Sequence, residues 1–387
     1  MNGNLKLGVP KEMTTGENRV ALVPETVAKL AKTGIAVLVE SKAGDASYFP
    51  DSAYQASGAT ILADAASVFA QADCVLKVQK PFENEMNLLR EGTGLIAFLQ
   101  PFMNPQLVKT LIARKITSFS MDAVPRITRA QKLDALSSMS TISGYKAVLM
   151  AADAAPKFFP MLTTAAGTIV PARVFVIGAG VAGLQAIATA RRLGAVVEAF
   201  DTRPAVKEQV ESLGARFAEL DLELDKLQAE DKSGYAKELS EESYHKEEAL
   251  IHQKVRESDV VITTALIPGK PAPTLIKEAM VKEMRPGSVI VDLAAEMGGN
   301  CESTECGKEV EKHGVKILGT LNLPSLLPFH ASQMYSRNLY ALLELIIKDG
   351  KLHLDFSDEI IAEMCITHQG EIKNRGVQKS ILELSQQ

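Results

Sequence analysis

The sequence predicts an α/β protein of two doubly wound domains, each built on a parallel sheet, with long helices joining them. Two observations support this fold class. Short apolar runs alternate with helix-forming segments along most of the chain, which is the pattern of parallel strands with crossover helices. The length of 387 residues also exceeds what one hydrophobic core ordinarily organises. We expect one domain over residues 1–137 and 330–387, and the other over residues 138–329.

The first third of the chain supplies most elements of the first domain. Its apolar runs have the length of buried strands, and Asp64 is placed to cap a helix. The predicted strands are residues 5–10, 35–40, 74–78, 94–99 and 116–120, and the predicted helices are residues 24–33, 65–71 and 104–115. A helix over residues 331–347 and two strand-like pieces within residues 352–387 are expected near the C-terminus, where the tail would cover this domain.

A glycine-rich turn lies at the centre of the second domain. Residues 174–177 suit a buried strand, and Gly178, Gly180 and Gly183 follow with the spacing G-x-G-x-x-G. Helix formers continue through residues 184–193. This context is the dinucleotide-binding fingerprint of Rossmann-like folds. The first glycine permits a tight turn, the second lets the backbone approach a pyrophosphate, and the third lets helix and strand pack closely.

A second strand, residues 195–200, ends at Asp201, and this acid bears on the choice of nucleotide. A carboxylate there accepts hydrogen bonds from the adenine-ribose hydroxyls and repels a 2′-phosphate. Arg203, two residues later, is of a type that accommodates such a phosphate. Because the acid at the strand end would meet the phosphate directly, the sequence favours NAD(H).

The rest of the second domain contains further strands and one charged insertion. The predicted strands are residues 215–220, 259–264, 288–293 and 315–319. The insertion, residues 221–258, is far longer than the ~2–6 residues usual for such connections. It contains Gly234 and Tyr235 and ends in a helix predicted over residues 241–257. The insertion is either a surface excursion or a functional lid.

A polar loop between the domains carries four residues with hydrogen-bonding side chains. Arg126, Gln131, Asp134 and Ser137 lie in this loop and at the start of a helix predicted over residues 135–152. Together they offer the donors and acceptors that a carboxamide and a ribose need. The same residues equally suit a hydrogen-bonded loop ending in an N-capped helix. Because open α/β sheets often bind ligands between domains, we expect the nucleotide in the inter-domain cleft.

Two segments follow strands and therefore fall on the same sheet edge as the glycine turn. Residues 263–273, which include Ala265 and Leu266, would let a cofactor lie against the backbone. Residues 288–300 repeat the order of strand, acid and glycines. In both segments a structural turn is as good an interpretation as a cofactor contact.

Composition and motifs exclude several classes of function. The formal net charge of −5 argues against a general nucleic-acid or anionic-membrane surface. The four cysteines are scattered and lack clustered histidines, so we expect no metal site. No stretch reaches ~18 uncharged apolar residues, so we expect no direct membrane insertion. The chain has no G-x-S-x-G, H-E-x-x-H or P-loop motif.

Several motifs together resemble the alanine dehydrogenase/transhydrogenase family, and within it the NAD(H)-binding α subunits of proton-translocating transhydrogenases. The resemblance covers essentially the whole chain. Its most specific motifs are GVPKE (residues 8–12) with ENRV (17–20), VPRITRAQKLD (124–134), residues 176–183, DTRP (201–204), GYAK (234–237) and residues 263–273 and 298–301.

The resemblance implies roles for the residues of the site. Those assigned to the nicotinamide half of NAD(H) are Arg126, Gln131, Asp134 and Ser137. Those assigned to the adenosine half are Val181, Asp201 and Arg203, with Gly234, Ala265 and Leu266 also lining the site. Tyr235 matches the tip of a mobile loop, near residues 222–240, that folds over bound nucleotide in the family.

The resemblance further implies direct hydride transfer between NADH held by this chain and NADP⁺ held by a partner. The expected assembly is a homodimer with a membrane-spanning subunit and an NADP(H)-binding subunit, cytoplasmic and peripheral on the inner face of the membrane. Alanine dehydrogenase instead uses a lysine and a histidine to bind and protonate a keto acid. Lys77 matches that lysine, but Gln100 stands at the histidine position, and glutamine is no general acid or base. An alanine dehydrogenase and a redox-sensing NADH-binding module remain the alternatives.

Overall fold

The computed structural model describes residues 5–219, 241–267 and 270–384, and the chain divides into two compact units. Unit 1 comprises residues 1–139 and 325–387, and unit 2 comprises residues 140–324. The boundary at residues 139 and 140 falls within a single long helix, Ala135–Ala154.

The first segment of unit 1 alternates strands and helices. Each predicted strand and helix of this segment is confirmed to within two residues, and Asp64 caps its helix by accepting a hydrogen bond from the Ser67 amide at 2.7 Å. Three short elements, the helices Asp51–Ala56 and Glu83–Leu88 and the strand Thr60–Leu62, were not predicted. The strands are β1 (Lys6–Val9), β2 (Ala36–Glu40), β3 (Thr60–Leu62), β4 (Cys74–Gln79), β5 (Gly94–Phe98) and β6 (Thr117–Ser120). The helices are α1 (Pro24–Lys32), α2 (Asp51–Ala56), α3 (Ala65–Gln71), α4 (Glu83–Leu88), α5 (Pro105–Ala113) and α6 (Ala135–Ala154).

Unit 2 contains a small hairpin followed by a larger sheet and its helices. The hairpin pairs β7 (Leu162–Thr164) with β8 (Gly167–Ile169). The other strands are β9 (Arg173–Ile177), β10 (Val196–Phe200), β11 (Arg216–Phe217), β12 (Val260–Thr263), β13 (Val289–Asp292), β14 (Glu309–Lys312) and β15 (Val315–Leu318). The helices are α7 (Val181–Arg192), α8 (Lys207–Ser212), α9 (Glu241–Glu257) and α10 (Glu278–Lys282).

The C-terminal segment returns to unit 1. Its elements are α11 (Pro328–Ile346), β16 (Ile347–Lys348), β17 (Lys351–Leu352), α12 (Glu359–Met364), β18 (Cys365–His368), β19 (Glu371–Ile372) and α13 (Arg375–Leu384). The two strand-like pieces expected in this tail are confirmed as β18 and β19, and the helices α12 and α13 that accompany them were not predicted. α12 begins where the Asp358 carboxylate accepts a hydrogen bond from the Ile360 amide at 2.9 Å, a cap that was not predicted.

The two sheets confirm the doubly wound α/β fold, and both are mostly parallel. The sheet of unit 1 has the order β19-β18-β6-β5-β4-β1-β2-β3, and that of unit 2 has the order β11-β10-β9-β12-β13-β15-β14. The predicted parallel pairing fails only at edges, where β18, β19 and β14 pair antiparallel. In each unit the strand order reverses next to the first strand, between β1 and β4 and between β9 and β12. The carboxyl ends of strands at such a switch point form the usual ligand crevice.

Both faces of the sheet in unit 2 are covered, as expected for parallel strands. Val174 and Val176 of β9 pack in an apolar cluster with α7, whereas Phe175 and Ile177 pack in another with α9. The alternation places α7 on one face and α9 on the other. The crevice at the switch point of unit 2 therefore lies between crossover helices of the same unit.

Candidate functional site

The glycine-rich turn of unit 2 leaves the sheet at its switch point. Gly178 follows β9 directly and has φ +93°, a left-handed conformation that favours glycine. A Cβ at Gly178 would lie 2.6 Å from Thr264 Oγ1, and that hydroxyl donates a hydrogen bond of 3.0 Å to the Gly178 carbonyl. Thr264 follows β12, so the two strands that flank the switch point are tied together at their carboxyl ends.

The other two glycines of the fingerprint differ in what they contact. A Cβ at Gly183 would lie 1.9 Å from the Gly178 carbonyl oxygen, so only glycine lets α7 approach the turn this closely. Among the described residues, the nearest atom to a Cβ at Gly180 would be Arg203 Nη2 at 4.0 Å. The backbone of Gly180 is extended, with φ −73°, so neither packing nor conformation demands glycine there. The open side of Gly180 is the surface that a ligand can approach.

The first turn of α7 offers backbone donors at this open side. The helix begins at Val181, which is exposed, and its N-cap is Gly180, which has no side chain to accept from the first-turn amides. Gly144 of α6 supports the turn from behind, because a Cβ there would lie 2.0 Å from the Ala182 carbonyl oxygen. Unsatisfied amides and the helix dipole make such an N-terminus suitable for a phosphate group.

Asp201 and Arg203 form an ion pair beside the turn. The Asp201 carboxylate accepts hydrogen bonds from the Ala179 amide at 2.8 Å and the Arg203 amide at 2.9 Å. It also accepts from Arg203 Nε and Nη2, both at 3.0 Å. The acid that the sequence assigned to the ribose therefore also holds the fingerprint turn and an arginine. Its negative charge is largely balanced by the guanidinium.

A third ionisable group, Glu247 of α9, lies near Asp201 and was not predicted. Only 8% of Glu247 is exposed. Burial raises the pKa of its carboxyl to about 7, and the negative charge of Asp201 adds to the effect. The sequence held a signal for this position, because Glu247 precedes the buried Ile251 and Val255 at four-residue spacing on one helix face.

Ala265 and Leu266 follow β12 beside the turn. The Ala265 backbone is held at both its amide and its carbonyl by the Asn300 side chain, at 3.0 and 2.9 Å, and Leu266 is 48% exposed. Asn300 is itself fixed through its backbone N–H, which donates a hydrogen bond to the buried Asp292 carboxylate at 2.8 Å. The segment of residues 288–300 therefore serves as a support for the 264–266 backbone. From the sequence alone, this segment fits a structural turn and a cofactor contact equally well.

The polar loop of unit 1 contains a capped helix. Asp134 accepts hydrogen bonds from the Ser137 amide at 2.8 Å and from Ser137 Oγ at 2.5 Å, which makes it the N-cap of α6. The side chains of Arg126 and Gln131 are exposed. The loop is fixed from below, because Asn338 Nδ2 of α11 donates to the Lys132 carbonyl at 2.8 Å. An anchored loop with exposed polar side chains fits both interpretations of the sequence.

The switch point of unit 1 is filled by a buried ionic network. Lys77 Nζ of β4 lies 2.7 Å from Glu85 Oε1 and 3.2 Å from Glu12 Oε2. Beside it, Arg19 and Glu17 pair at 2.6 Å, and both are buried. Burial opposes the charge on Lys77, but attraction to the two glutamates outweighs it and the pKa of Lys77 is raised. The lysine is thus committed to the chain's own carboxylates.

Gln100 follows β5 in a left-handed conformation, with φ +47°. Its amide donates to Asp122 Oδ1 at 3.2 Å, and its carbonyl accepts from Asn104 Nδ2 at 2.9 Å. The loop is therefore defined by its backbone bonds. Nothing in this arrangement gives Gln100 a proton to transfer.

The predicted site residues that the structure describes form one group in each unit. In unit 2 the turn gathers Gly178, Gly180, Val181, Gly183, Asp201, Arg203, Ala265 and Leu266 at one sheet edge. In unit 1 the residues from Arg126 to Ser137 form one loop and helix start. Gly234 and Tyr235 lie outside the described residues. Within the described ranges, no three histidine, cysteine, aspartate or glutamate side chains are grouped to hold a metal ion. None of the helices described is both long and apolar enough to cross a bilayer.

Comparison with known proteins gives a consistent result over both units. Residues 8–143 match the family model "Alanine dehydrogenase/PNT, N-terminal domain", and residues 147–375 match "Alanine dehydrogenase/PNT, C-terminal domain". The chain is 48% identical over 368 residues to the NAD(P) transhydrogenase subunit alpha of Haemophilus influenzae, covering 94% of this chain and 71% of that one. It is 49% identical over 375 residues to the first part of the corresponding subunit of Rhodospirillum rubrum, covering 95% of this chain and 97% of that one.

Two solved structures agree with these matches. The transhydrogenase from Sinorhizobium meliloti superposes with a TM-score of 0.86 at 43% identity, covering 95% of this chain and 99% of that one. An L-alanine dehydrogenase superposes with a TM-score of 0.81 at 26% identity, covering 98% of this chain and 100% of that one. The fingerprint turn, the doubly wound sheets and these likenesses together show that this chain belongs to the alanine dehydrogenase/transhydrogenase family.

Proposed function

We propose that this chain is the NAD(H)-binding subunit of a proton-translocating transhydrogenase, in which hydride passes directly between NADH held here and NADP⁺ held on a partner subunit. The observation that carries the proposal is Gly180. No described residue packs closely enough to require glycine at this position, whereas Gly178 and Gly183 are both required by neighbouring atoms. A glycine of that kind, beside the open amides of α7, fits a pyrophosphate.

The residues of unit 2 take the adenosine half of NAD(H) in this proposal. Val181 and the first turn of α7 face the phosphates, while Asp201 and Arg203 meet the ribose. Ala265 and Leu266 offer backbone and apolar surface, held in place by Asn300. Gly234 and Tyr235 are proposed to cover the bound nucleotide.

The residues of unit 1 take the nicotinamide half, and their role is positional. Bound NADH supplies the hydride. Arg126, Gln131, Asp134 and Ser137 orient the carboxamide and ribose of the dihydronicotinamide. Asp134 and Ser137 are already locked to each other by two hydrogen bonds, so the polar surface is preorganised and little ordering is needed on binding. No group of this chain has to move a proton.

The function is tested by mixing the purified chain with the NADP(H)-binding subunit of a transhydrogenase. NADH is added with an NADP⁺ analogue whose reduced form absorbs at its own wavelength. We expect turnover in the mixture and none with either protein alone. NADH binding without turnover in a competent mixture would instead indicate a redox-sensing binding module.

Alanine with NAD⁺ forms the second arm of that experiment, because alanine dehydrogenases belong to the same family. Formation of NADH from alanine by this chain alone would move the function to amino-acid oxidation. We expect none, because Gln100 supplies no general acid or base. Lys77 is moreover ion-paired to Glu12 and Glu85 and only 1% exposed.

Replacing Gln131 by alanine is expected to lower the rate of hydride transfer by about 10- to 100-fold, because a misplaced reacting group costs rate more than affinity. The Kd for NADH should change far less. Gln131 is exposed, so the fold is not at risk. Lys132→Ala, an exposed neighbour, is the matched control and should change neither quantity. Equal losses in rate and affinity would contradict a positioning role for Gln131.

We also propose the homodimer, with the β7–β8 hairpin as its contact surface. Phe158, Met161, Ile169 and Val170 around this hairpin are 55%, 62%, 41% and 77% exposed. A two-stranded hairpin with such an apolar surface is marginal by itself and typical of a surface that pairs with another chain. The membrane-spanning and NADP(H)-binding subunits complete the proposed assembly, peripheral on the cytoplasmic face of the membrane.

Replacing Val170 by aspartate is expected to convert the dimer to a monomer and raise its dissociation constant at least about 100-fold, because an aspartate buried without a partner opposes association. Analytical ultracentrifugation measures the change. Leu382→Asp, the same kind of change at a residue of α13 that is 57% exposed, is the control. A wild-type monomer at micromolar concentration, or a dimer unaffected by the Val170 change, would exclude this interface.

A further inference from the structure

Glu247 is an acid on the inward face of α9, at a position where the helix pattern places an apolar residue. Ile251 and Val255, one and two turns later on the same face, are 1% and 0% exposed and pack in the apolar cluster of unit 2. Glu247 itself is 8% exposed. A buried glutamate is costly unless it is paired or has a functional use.

No hydrogen bond or ion pair to Glu247 exists among the residues that the structure describes. The charged groups around it are engaged with other partners. On α9, Glu248 pairs with Lys277, the residue before α10, at 2.5 Å, and Lys254 pairs with Glu198 of β10 at 2.6 Å. Lys246 has an interaction of its own, and Asp201, whose charge acts on Glu247, is paired with Arg203 at the end of β10. When Glu247 is ionised, no residue within the described ranges therefore pairs with its charge.

The direction of α9 places Glu247 at the carboxyl edge of the sheet. The helix leads into β12, which is parallel to β9 and β10, so α9 runs back along the sheet and its first half lies at the edge where those strands end. Asp201 follows β10 at that edge, and its charge acts on Glu247. Two carboxylates therefore lie near the fingerprint turn, and among the described residues a cation pairs with Asp201 but not with Glu247.

This difference matters for the choice of nucleotide. Arg203 donates to Asp201 from both Nε and Nη2, so the pair as a whole is nearly neutral. A 2′-phosphate could compete for that guanidinium, as arginines do in NADP sites. Asp201 alone is therefore a weak basis for excluding NADP(H). The unpaired carboxylate beside it supplies the missing repulsion.

We propose that Glu247 is a specificity-determining residue of the nucleotide site, whose ionised carboxylate excludes a 2′-phosphate from the adenosine subsite and whose protonation relaxes that exclusion. The inference rests on the proposed function, in that NAD(H) binds at this turn. It adds a residue and a pH dependence to that function.

The sign of the pH dependence follows from linkage. A bound 2′-phosphate adds negative charge and raises the pKa of Glu247 above its value of about 7 in the free protein. NADPH binding then takes up a proton, so the affinity for NADPH falls as pH rises through neutrality. Each unit of pKa shift corresponds to about tenfold in affinity. NADH carries no 2′-phosphate, and its affinity should change much less.

The experiment measures Kd for NADH and for NADPH on the full chain at about pH 6 and about pH 8.5, on either side of the Glu247 titration. Because the 2′-phosphate itself titrates near pH ~6, the comparison is between the wild type and Glu247→Gln. The preference for NADH is the ratio of the Kd for NADPH to the Kd for NADH. From the lower to the higher pH, this ratio should rise about tenfold more in the wild type than in Glu247→Gln. Glu248→Gln, whose carboxylate pairs with Lys277, is the matched control and should follow the wild type.

The outcomes separate this inference from the proposed function. Absence of NADH binding by wild type and both variants would refute nucleotide binding at this turn. Normal NADH binding, with the same preference in Glu247→Gln as in the wild type at both pH values, would refute the role of Glu247. Glu247→Gln removes a buried charge, so we expect it to fold. Should that variant aggregate, the proton uptake on NADPH binding, measured calorimetrically on the wild type in two buffers, decides the question, and no uptake would refute the role.

Discussion

Replacing Gly183 by alanine is expected to destabilise unit 2 by at least about 3 kcal/mol, although alanine is the better helix former by about 1 kcal/mol. The added Cβ would lie 1.9 Å from the Gly178 carbonyl oxygen and 2.9 Å from its carbon. Both atoms belong to the backbone of a tight turn and cannot give way cheaply. Chemical denaturation followed by circular dichroism measures the loss of unfolding free energy. If the two units unfold in separate transitions, each transition is analysed by itself.

Gly180→Ala is the contrasting variant in the same motif. Of the atoms in the described part of the chain, its Cβ would meet Arg203 Nη2 at 4.0 Å and no other, and the exchange at an N-cap costs less than about 1 kcal/mol. We expect a folded protein whose Kd for NADH rises at least about tenfold, because the methyl group stands where the pyrophosphate must approach the backbone. Wild-type affinity in Gly180→Ala would refute the assignment of the turn to the nucleotide, and a stable Gly183→Ala would show that the turn can relax.

The central strands and long helices could be predicted because their signals are local. The apolar run before Gly178 reads as a buried strand wherever it occurs, and Asp64 and the 241–257 segment carry their own cap and periodicity. The central strands of each sheet follow from such signals and from the rule that strands alternating with helices pair in parallel. This part of the fold needed no knowledge of distant residues.

The edges of the sheets could not be predicted in the same way. Thr367 of β18 is held in unit 1 through partners about 250 positions away, since its Oγ1 bonds to the Ile116 carbonyl at 2.8 Å and to Ser118 Oγ at 2.7 Å. β19 contains only two residues, and three of the four residues of β14 are charged, so neither shows an apolar run. Their strand character comes from the edge they extend, which a local pattern does not contain.

The site shows the same division. The glycine spacing and the strand-end acid predict Gly180 and Asp201 as site residues from a few adjacent positions. The partnership of Asp201 with Arg203, the support of Ala265 by Asn300 and the position of Glu247 all depend on how the chain returns to one sheet edge. Glu247 is one of many charged residues in α9. In the sequence, only its four-residue spacing from apolar positions indicates that it faces inward.

Replacing Lys77 by methionine is expected to destabilise unit 1 by about 3–5 kcal/mol, because it leaves Glu12 and Glu85 buried without their cation. Glu12 should be destabilised more than Glu85, because no described residue donates a hydrogen bond to its Oε2, which lies 3.2 Å from the Lys77 ammonium. Burial already raises the pKa of Glu12 while Lys77 lowers it. Without the lysine the pKa rises further, so the deficit should grow as pH increases above the normal glutamate range and shrink in acid.

Two controls separate charge from packing in that experiment. Lys115→Met removes a cation from the exposed pair with Glu91 at 2.7 Å and should leave the free energy of unfolding nearly unchanged. Lys77→Met combined with Glu85→Gln should recover part of the loss, because one uncompensated charge disappears with little change in volume; a combination no more stable than Lys77→Met alone would mean that the cost is packing.

The same variant also distinguishes the two enzymatic functions of the family. In a transhydrogenase, Lys77 is a structural cation, so folded Lys77→Met, assayed below its melting temperature, should retain hydride transfer with the partner subunit within about threefold of wild type, since the chemistry involves no group in its network. In an alanine dehydrogenase the lysine would hold the keto acid, and its loss would abolish turnover. Folded protein with full NADH affinity but no hydride transfer would therefore contradict the structural role of Lys77 and indicate that a substrate binds at the switch point of unit 1.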